Sequence, residues 1–247
     1  MTAPFDRRIS AVEDRRAVGP YVVLEIDDAT QPRPGQFYML AAVAEWGGGA
    51  GERPYLPRAL SALSARDGLI GFLLEDVGPG TRRLCELEIG EQVHVTGPFG
   101  NGFTPDRERE AVLVGGGVGV PPLAFFQERH GGHAVLGFRD AHHAAAAALF
   151  SDPEIATDDG SLGHRGYVTE LLERHLAPGA AVYGCGPAAM LEAVQRRLDR
   201  GDVPCQLALE APMACGFGSC FGCVVPTSEG YRRVCVDGPV FDAAVLA

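Results

Sequence analysis

Apolar and polar positions along the first hundred residues come in short runs separated by turn residues. Tyr21 to Asp28, Gln36 to Val43, Leu69 to Val77 and Glu91 to Thr96 are rich in aliphatic, aromatic and β-branched side chains, and Pro34-Gly35 marks a turn between the first two. Short strands at this spacing predict an antiparallel barrel. Trp46 to Glu52 is glycine-rich and predicts a surface loop. From Ala111 the period changes. Ala111–Val114, His133–Phe138 and Ala181–Tyr183 are expected strands; Pro121–His130, Tyr167–Leu176 and Pro187–Asp199 are expected helices. Strand and helix in alternation predict a parallel sheet with helices on both faces. The alanine run Ala144–Ala148 is expected to form a helix at the solvent edge. The fold class is therefore β + α/β, with a barrel over 1–106, an α/β domain over 107–204 and a small C-terminal segment over 205–247. The first boundary lies where a proline and a charge run, Thr104–Arg109, interrupt the pattern.

Composition narrows the function. The chain has 247 residues, enough for two small domains and an appended segment, and hydrophobic residues make up 46% of it, as in globular proteins. The net charge is −11, a poor match for phosphate backbones, which argues against a nucleic-acid partner. The N-terminus has arginines but no apolar core of a signal peptide, and no run approaches the roughly 20 apolar residues that span a bilayer. A cytoplasmic protein with no membrane partner is expected. Its seven cysteines then point to metal or redox chemistry more than to a disulfide framework.

Four of those cysteines form the strongest motif. Cys215, Cys220 and Cys223 are spaced C-x4-C-x2-C, and Cys235 follows after eleven residues. This is the plant-type ferredoxin spacing, in which four thiolates hold a [2Fe–2S] cluster. Gly216, Gly218 and Gly222 let the backbone wrap closely and aim N–H groups at the sulfurs. Zinc is the rival metal, but structural zinc takes two short Cys or His pairs; only one C-x2-C is present and no His follows His175. A zinc-bearing interaction module without enzymatic activity is the reading from a different class. Cys85 and Cys205 lie among apolar residues and are expected to be small buried hydrophobes.

Two glycine-rich turns suggest a nucleotide. Gly115-Gly116-Gly117-Val118-Gly119 joins a strand to a helix, where a phosphate can approach the backbone. It is not the G-x-G-x-x-G fingerprint, since Pro121 and Pro122 follow, and a turn with no ligand fits it equally well. Tyr183-Gly184-Cys185-Gly186-Pro187 occupies a second strand-to-helix turn at the same sheet edge, and ligands bind outside such edges. In the barrel, Arg58, Ala59, Leu60 and Ser61 offer a cation and a hydroxyl, and Gly80-Thr81 a backbone N–H and a second hydroxyl, which together suit a pyrophosphate. Gly97 to Phe103 is turn-rich and reads as the connection between domains. Arg139 after the strand His133–Phe138 favours a 2′-phosphate and Asp140 opposes it, leaving NAD and NADP both open at this point.

In this order, the motifs resemble the ferredoxin reductase superfamily, flavin barrel first and pyridine-nucleotide domain second. With cysteines at the C-terminus the chain most resembles the electron-transfer subunits of class 1B dihydroorotate dehydrogenases, above all over Glu210 to Cys223 and Tyr231 to Phe241. The resemblance implies FAD at Arg58, Ala59, Leu60, Ser61, Leu73, Leu74, Glu75, Gly80 and Thr81. The family's Arg-Pro-x-Ser reads Arg-Ala-Leu-Ser here, so its proline is replaced by Ala59. It implies NAD at Gly115, Gly116, Gly117, Gly119, Cys185, Gly186 and Pro187, with Cys185 near the nicotinamide. It implies a hetero-oligomer, expected to be a heterotetramer, with an FMN-containing dihydroorotate dehydrogenase catalytic subunit that makes orotate for pyrimidine (UMP) biosynthesis. Electrons would pass through the cluster and FAD to NAD⁺. No catalytic side chain is expected, because the cofactors carry the chemistry. A reductase subunit serving ferredoxin, a hydrogenase or a sulfur-reducing complex would share these cofactors.

Overall fold

The chain opens with a strand that the apolar pattern did not predict. β1 (Arg8–Val18) is mostly charged on its outer side and buries Ser10 and Val12. It turns at Gly19-Pro20 into β2 (Tyr21–Asp27), pairing Val18 with Tyr21. β3 (Phe37–Ala42), β4 (Arg58–Ser61), β5 (Ser64–Arg66), β6 (Leu69–Glu75) and β7 (Gln92–Phe99) complete an antiparallel sheet of order β4-β3-β7-β1-β2-β6-β5. The outermost strands of that order, β4 and β5, are separated in the chain only by Ala62 and Leu63. Ala62 N–H bonds to Gln36 and Leu63 N–H to Gly71, so the sheet closes on itself as a barrel. A short helix, α1 (Pro79–Cys85), follows β6 where the apolar pattern gave no sign of one. This computed structural model describes residues 6–47, 54–198 and 203–247; residues 48–52 of the glycine-rich loop and Asp199 at the end of the last expected helix lie outside the described residues.

The second layer system is the expected parallel sheet. β8 (Glu110–Gly116), β9 (His133–Phe138), β10 (Glu154–Thr157), β11 (His164–Arg165), β12 (Ala180–Cys185), β13 (Cys205–Ala208) and β16 (Val240–Asp242) form the order β11-β10-β9-β8-β12-β13-β16. β14 (Val224–Thr227) and β15 (Gly230–Arg233) form a separate hairpin. Successive side chains of β8 point to opposite faces, the period of two that burial on both sides requires. Leu113 joins one core with α2 (Pro121–His130), and Val112 and Val114 join another with α3 (Val168–Leu172) and α4 (Ala188–Leu198). β13 lies parallel to β12 within this sheet, although the expected division at 205 puts its residues in the C-terminal segment. That segment returns β16 antiparallel to β13, so it is stitched into the sheet edge.

Three contacts set the domains against each other. α2 puts Phe125 into the barrel core and Phe126 into the sheet core. The alanine run is not at the solvent edge: it forms a 3-10 helix, His143–Leu149, with Ala144, Ala146 and Ala147 buried. Small side chains there admit the β1–β2 turn, and a Cβ at Gly19 would sit 2.3 Å from the His142 carbonyl and 2.7 Å from Ala145. The turn-rich connection also does more than connect. Asn101 accepts from the Val240 amide at 3.0 Å and donates to the Val240 carbonyl at 2.8 Å, clasping the C-terminal segment. Among the described residues no helix is long and apolar enough to cross a membrane.

Candidate functional site

Two cavities meet between the domains. The first is lined on the barrel side by Ala59, Leu60, Ser61, Leu73, Leu74, Glu75 and Thr81, and on the other by Val118, Gly119, Glu210 and Met213. The second, about 810 Å³ and so of the size usual for small-molecule sites, is lined by Tyr21, Gly116, Gly117, Arg139, Asp158 and Pro187, among others. Glu75 and Val118 line both cavities, so a ligand in one touches the wall of the other.

The barrel cavity suits a flavin nucleotide. Arg58 does not line it directly; its guanidinium lies across Gly80, where a Cβ would meet it at 2.3 to 2.4 Å, and 5.6 Å from the Trp46 ring centroid. Gly80 is thus a seat for the cation beside the first turn of α1. The Thr81 hydroxyl accepts from Val77 N–H at 3.0 Å and donates to the Gly78 carbonyl at 3.1 Å, so it closes the turn. What Thr81 offers an anion is its backbone N–H, which helix geometry leaves without an intrahelical partner. Glu210, not expected among the lining residues, has its carboxyl pushed up by burial. Cys185 lies behind it, buried, its thiol raised well above the ordinary value by burial and by the Glu210 carboxylate.

The glycines of the two turns divide by task. Gly116 and Gly117 line the larger cleft. Gly117 has φ +54° with nothing near its absent Cβ, so its backbone faces open space. Gly115 and Gly119 also meet a packing demand: a Cβ would meet Leu123 at 2.9 Å at the first and the Gly186 Cα at 2.6 Å at the second, and Gly119 lines the barrel cavity as well. Side-chain packing at Gly115 and close approach of the second turn at Gly119 each require glycine, whatever ligand the turn receives. Pro187 reaches the cleft, whereas Cys185 and Gly186 do not line either cavity. The cleft holds an orphan, the Tyr21 hydroxyl, which is buried without a hydrogen-bond partner. Burial, reinforced by Glu75, pushes its pKa up to about 12, so it stays a donor for a polar ligand. Asp140, one of the expected specificity residues, is turned to His143 at 2.7 Å; the acids that line the cleft are Asp158 and Glu75, and Arg139 lines it with them. Tyr21 and Asp158 lie outside the cofactor motifs, and no sequence signal marked them as cleft residues; Glu210 opens the stretch that carries the family resemblance, but nothing in that motif marked it as lining the flavin cavity.

The four motif cysteines come together on the barrel flank. Cys223 and Cys235 sulfurs lie 3.2 Å apart, buried in a core with Phe37, Met39 and Phe99 of the barrel. Cys215 interacts with Cys220. Burial works against ionisation of Cys215, but N–H groups of Phe217, Cys220 and Ser219 aimed at its sulfur bring its pKa down to about 6. Burial and the Cys223 sulfur push Cys235 up to about 12, opposed by the Gly218 N–H. Among the described residues no three of these sulfurs lie within 4.8 Å of one another. Two thiol pairs on adjoining sides suit two irons; one tetrahedral zinc would need all four around a single point. Gly216 and Gly218, at φ +79° and +86°, let the loop fold onto Met39 and Val236. Phe37 and Met213 belong both to this core and to the wall of the flavin cavity, so the two sites share a boundary. Met213 therefore faces inward, while Phe217 and Phe221 are 45% and 62% exposed.

Residues 210–247 match the iron–sulfur cluster binding domain of dihydroorotate dehydrogenase B. The chain is 40% identical to the dihydroorotate dehydrogenase B (NAD⁺) electron transfer subunit of Geobacillus thermodenitrificans, covering 87% of each chain. It is 34% identical to that of Desulforamulus reducens, over 98% of this chain and 97% of the other. In fold it is similar to a chain of an NADH-dependent reduced ferredoxin-NADP oxidoreductase, with TM-score 0.82, 23% identity, and 97% and 90% coverage. It is similar also to the FAD/NAD-binding domain of a nitric oxide dioxygenase from Vibrio cholerae, with TM-score 0.61, 21% identity, and 80% and 94% coverage.

Proposed function

Because the chain belongs to the family of dihydroorotate dehydrogenase B (NAD⁺) electron transfer subunits, we propose that it carries electrons from dihydroorotate oxidation on a partner subunit to NAD⁺, in pyrimidine biosynthesis. The net reaction converts dihydroorotate and NAD⁺ to orotate, NADH and a proton. The observation that carries the reading is the shared walls: Phe37 and Met213 between cysteines and flavin cavity, Glu75 and Val118 between flavin cavity and nucleotide cleft. Bound FAD supplies a carrier that exchanges electron pairs with nicotinamide and single electrons with a [2Fe–2S] cluster.

The residues divide the remaining work. Arg58 and the amides at Gly80 and Thr81 hold the pyrophosphate, and β6 backbone with Leu60 and Ser61 orients the ring system. Gly116, Gly117 and Pro187 receive the nucleotide, and Tyr21 and Asp158 offer it a donor and an acceptor. Cys215, Cys220, Cys223 and Cys235 hold the cluster. The exposed apolar side chains Phe217, Phe221, Val224, Tyr231 and Val236 surround the cluster loop, and Cys220 is itself exposed. Such a patch fits a protein interface. We assign it to the catalytic partner, which in this reading bears FMN and completes a cytoplasmic heterotetramer. With the partner added, Phe217→Glu is expected to reduce dihydroorotate-dependent NAD⁺ reduction strongly while sparing NADH oxidation by an artificial acceptor. Full coupled activity in that variant, or coupled activity of the isolated chain alone, would overturn the docking assignment.

A further inference from the structure

At the opposite end of the parallel sheet from the nucleotide cleft, three metal-binding side chains converge. His133 is the first residue of β9, Glu154 the first of β10, and His175 ends a 3-10 turn, Glu173–His175, that follows α3. The Nε2 atoms of His133 and His175 lie 3.0 and 2.8 Å from the same oxygen, Oε1 of Glu154. The three ligand atoms all lie within 4.8 Å of one another, and the two imidazole rings are 4.1 Å apart. None of the three lines the flavin cavity or the nucleotide cleft.

We propose that His133, Glu154 and His175 form a binding site for a divalent transition metal, with Zn²⁺ the ion that this donor set suits best. Two neutral imidazoles and one carboxylate are a common three-ligand set for zinc, with water completing a tetrahedron. Ligand atoms around such an ion stand about 3.3 Å apart, given metal–ligand distances of about 2.0–2.1 Å. The present spacing brackets that value, so each side chain shifts only slightly to admit an ion. The side chains are 25 to 37% exposed, which leaves an entry path and room for the completing water. Arg174 stands 3.9 Å from Oε2, the other carboxylate oxygen. Its guanidinium is largely in solvent, where its repulsion of a cation is screened.

The placement gives the site a role. β9, β10 and α3 carry Phe138 and Arg139, Asp158, and Val168 and Thr169 into the nucleotide cleft at or just beyond their opposite ends. An ion at their base pins three separate chain segments to one point, and so stabilises the half of the molecule that receives the nucleotide.

The test uses the chain with its flavin and cluster in place, so that no cluster cysteine is free to take zinc. Calorimetric titration with Zn²⁺ is expected to show one site beyond the cluster, and crystals soaked in Zn²⁺ an anomalous peak between the three side chains. His133→Asn and His175→Asn are each expected to weaken binding at least about tenfold, with FAD content, iron content and NADH oxidation unchanged. Glu154→Gln keeps the volume and loses the charge, and should weaken binding likewise. No zinc uptake by the wild-type chain, an anomalous peak elsewhere, or undiminished binding in all three variants would overturn the assignment. If one variant fails to fold, shown by lost flavin, the other two and the anomalous peak still decide it.

Discussion

The seat of Arg58 on Gly80 can be tested by a double-mutant cycle. Arg58→Ala removes a guanidinium whose Nη1 also donates to the Leu56 carbonyl at 2.6 Å. Losing a charge-assisted hydrogen bond to the flavin pyrophosphate costs about 1.5–3 kcal/mol, so the FAD dissociation constant should rise about 10- to 100-fold. Gly80→Ala puts a Cβ where the guanidinium now lies, at 2.3 Å from its central carbon. That carbon must move, and the cation moves with it. Gly80→Ala alone should therefore reproduce much of the affinity loss although it touches no charge. In the Arg58→Ala background nothing is left to displace, and alanine is better than glycine in a helix by about 1 kcal/mol. There the second substitution should leave affinity nearly unchanged and raise thermal stability slightly. The coupling between the sites should thus be about 1–2 kcal/mol. The assay is fluorescence titration of the deflavinated chain, its cluster intact, with FAD, alongside thermal unfolding of the four proteins. Wild-type affinity in Gly80→Ala, or strictly additive losses, would refute the account of Gly80 as a seat.

Cys220→Ser is expected to remove most of the iron while leaving the flavin bound, because the flavin cavity does not include that loop residue; iron and flavin assays on the purified variant check this, and unchanged iron would sink the ligand assignment. Asp158→Asn removes one of the two acids that line the nucleotide cleft and leaves Glu75, so NADP(H) should gain on NAD(H) about tenfold or more through lost charge repulsion and a weakened ribose contact, read as the ratio of kcat/KM values. The thiols of Cys85 and Cys205 are pushed up by burial from 9.0 to about 11 and about 12, so alkylation at pH 8 followed by mass spectrometry should leave them unmodified until the chain unfolds. The same shifts carry a sign for stability. The contribution is complete below about 9, where both states keep the proton, and is lost as pH rises from 9 toward 12, because the unfolded chain releases it first. Denaturant midpoints that rose over that range would contradict it.

The parts of this molecule legible in the amino-acid sequence are those whose physics is local. The cysteine spacing is one loop's chelating geometry, and the loop puts Cys215 beside Cys220 with N–H groups around them. The alternation of strand and helix gave the parallel sheet, because each element's period is written in a few consecutive residues. Local pattern also explains the misses. β1 carries too much charge to read as a strand, since it is held by pairing on both edges, with β2 and with β7. The alanine run reads as exposed helix but is buried, because what it packs against is the β1–β2 turn more than a hundred residues away in sequence. Gly115 and Gly119 look like phosphate glycines in sequence, and the packing demand that their contacts with Leu123 and Gly186 add is visible only in the tertiary structure. The site roles of Tyr21 and Asp158, the place of Glu210 in the flavin cavity, and the convergence of His133, Glu154 and His175 carry no sequence signature. Each depends on elements brought together by closure of the barrel, crossover in the sheet and the return of the C-terminal strand. A chain lists its donors and acceptors in order, but long-range burial decides which of them face the same space.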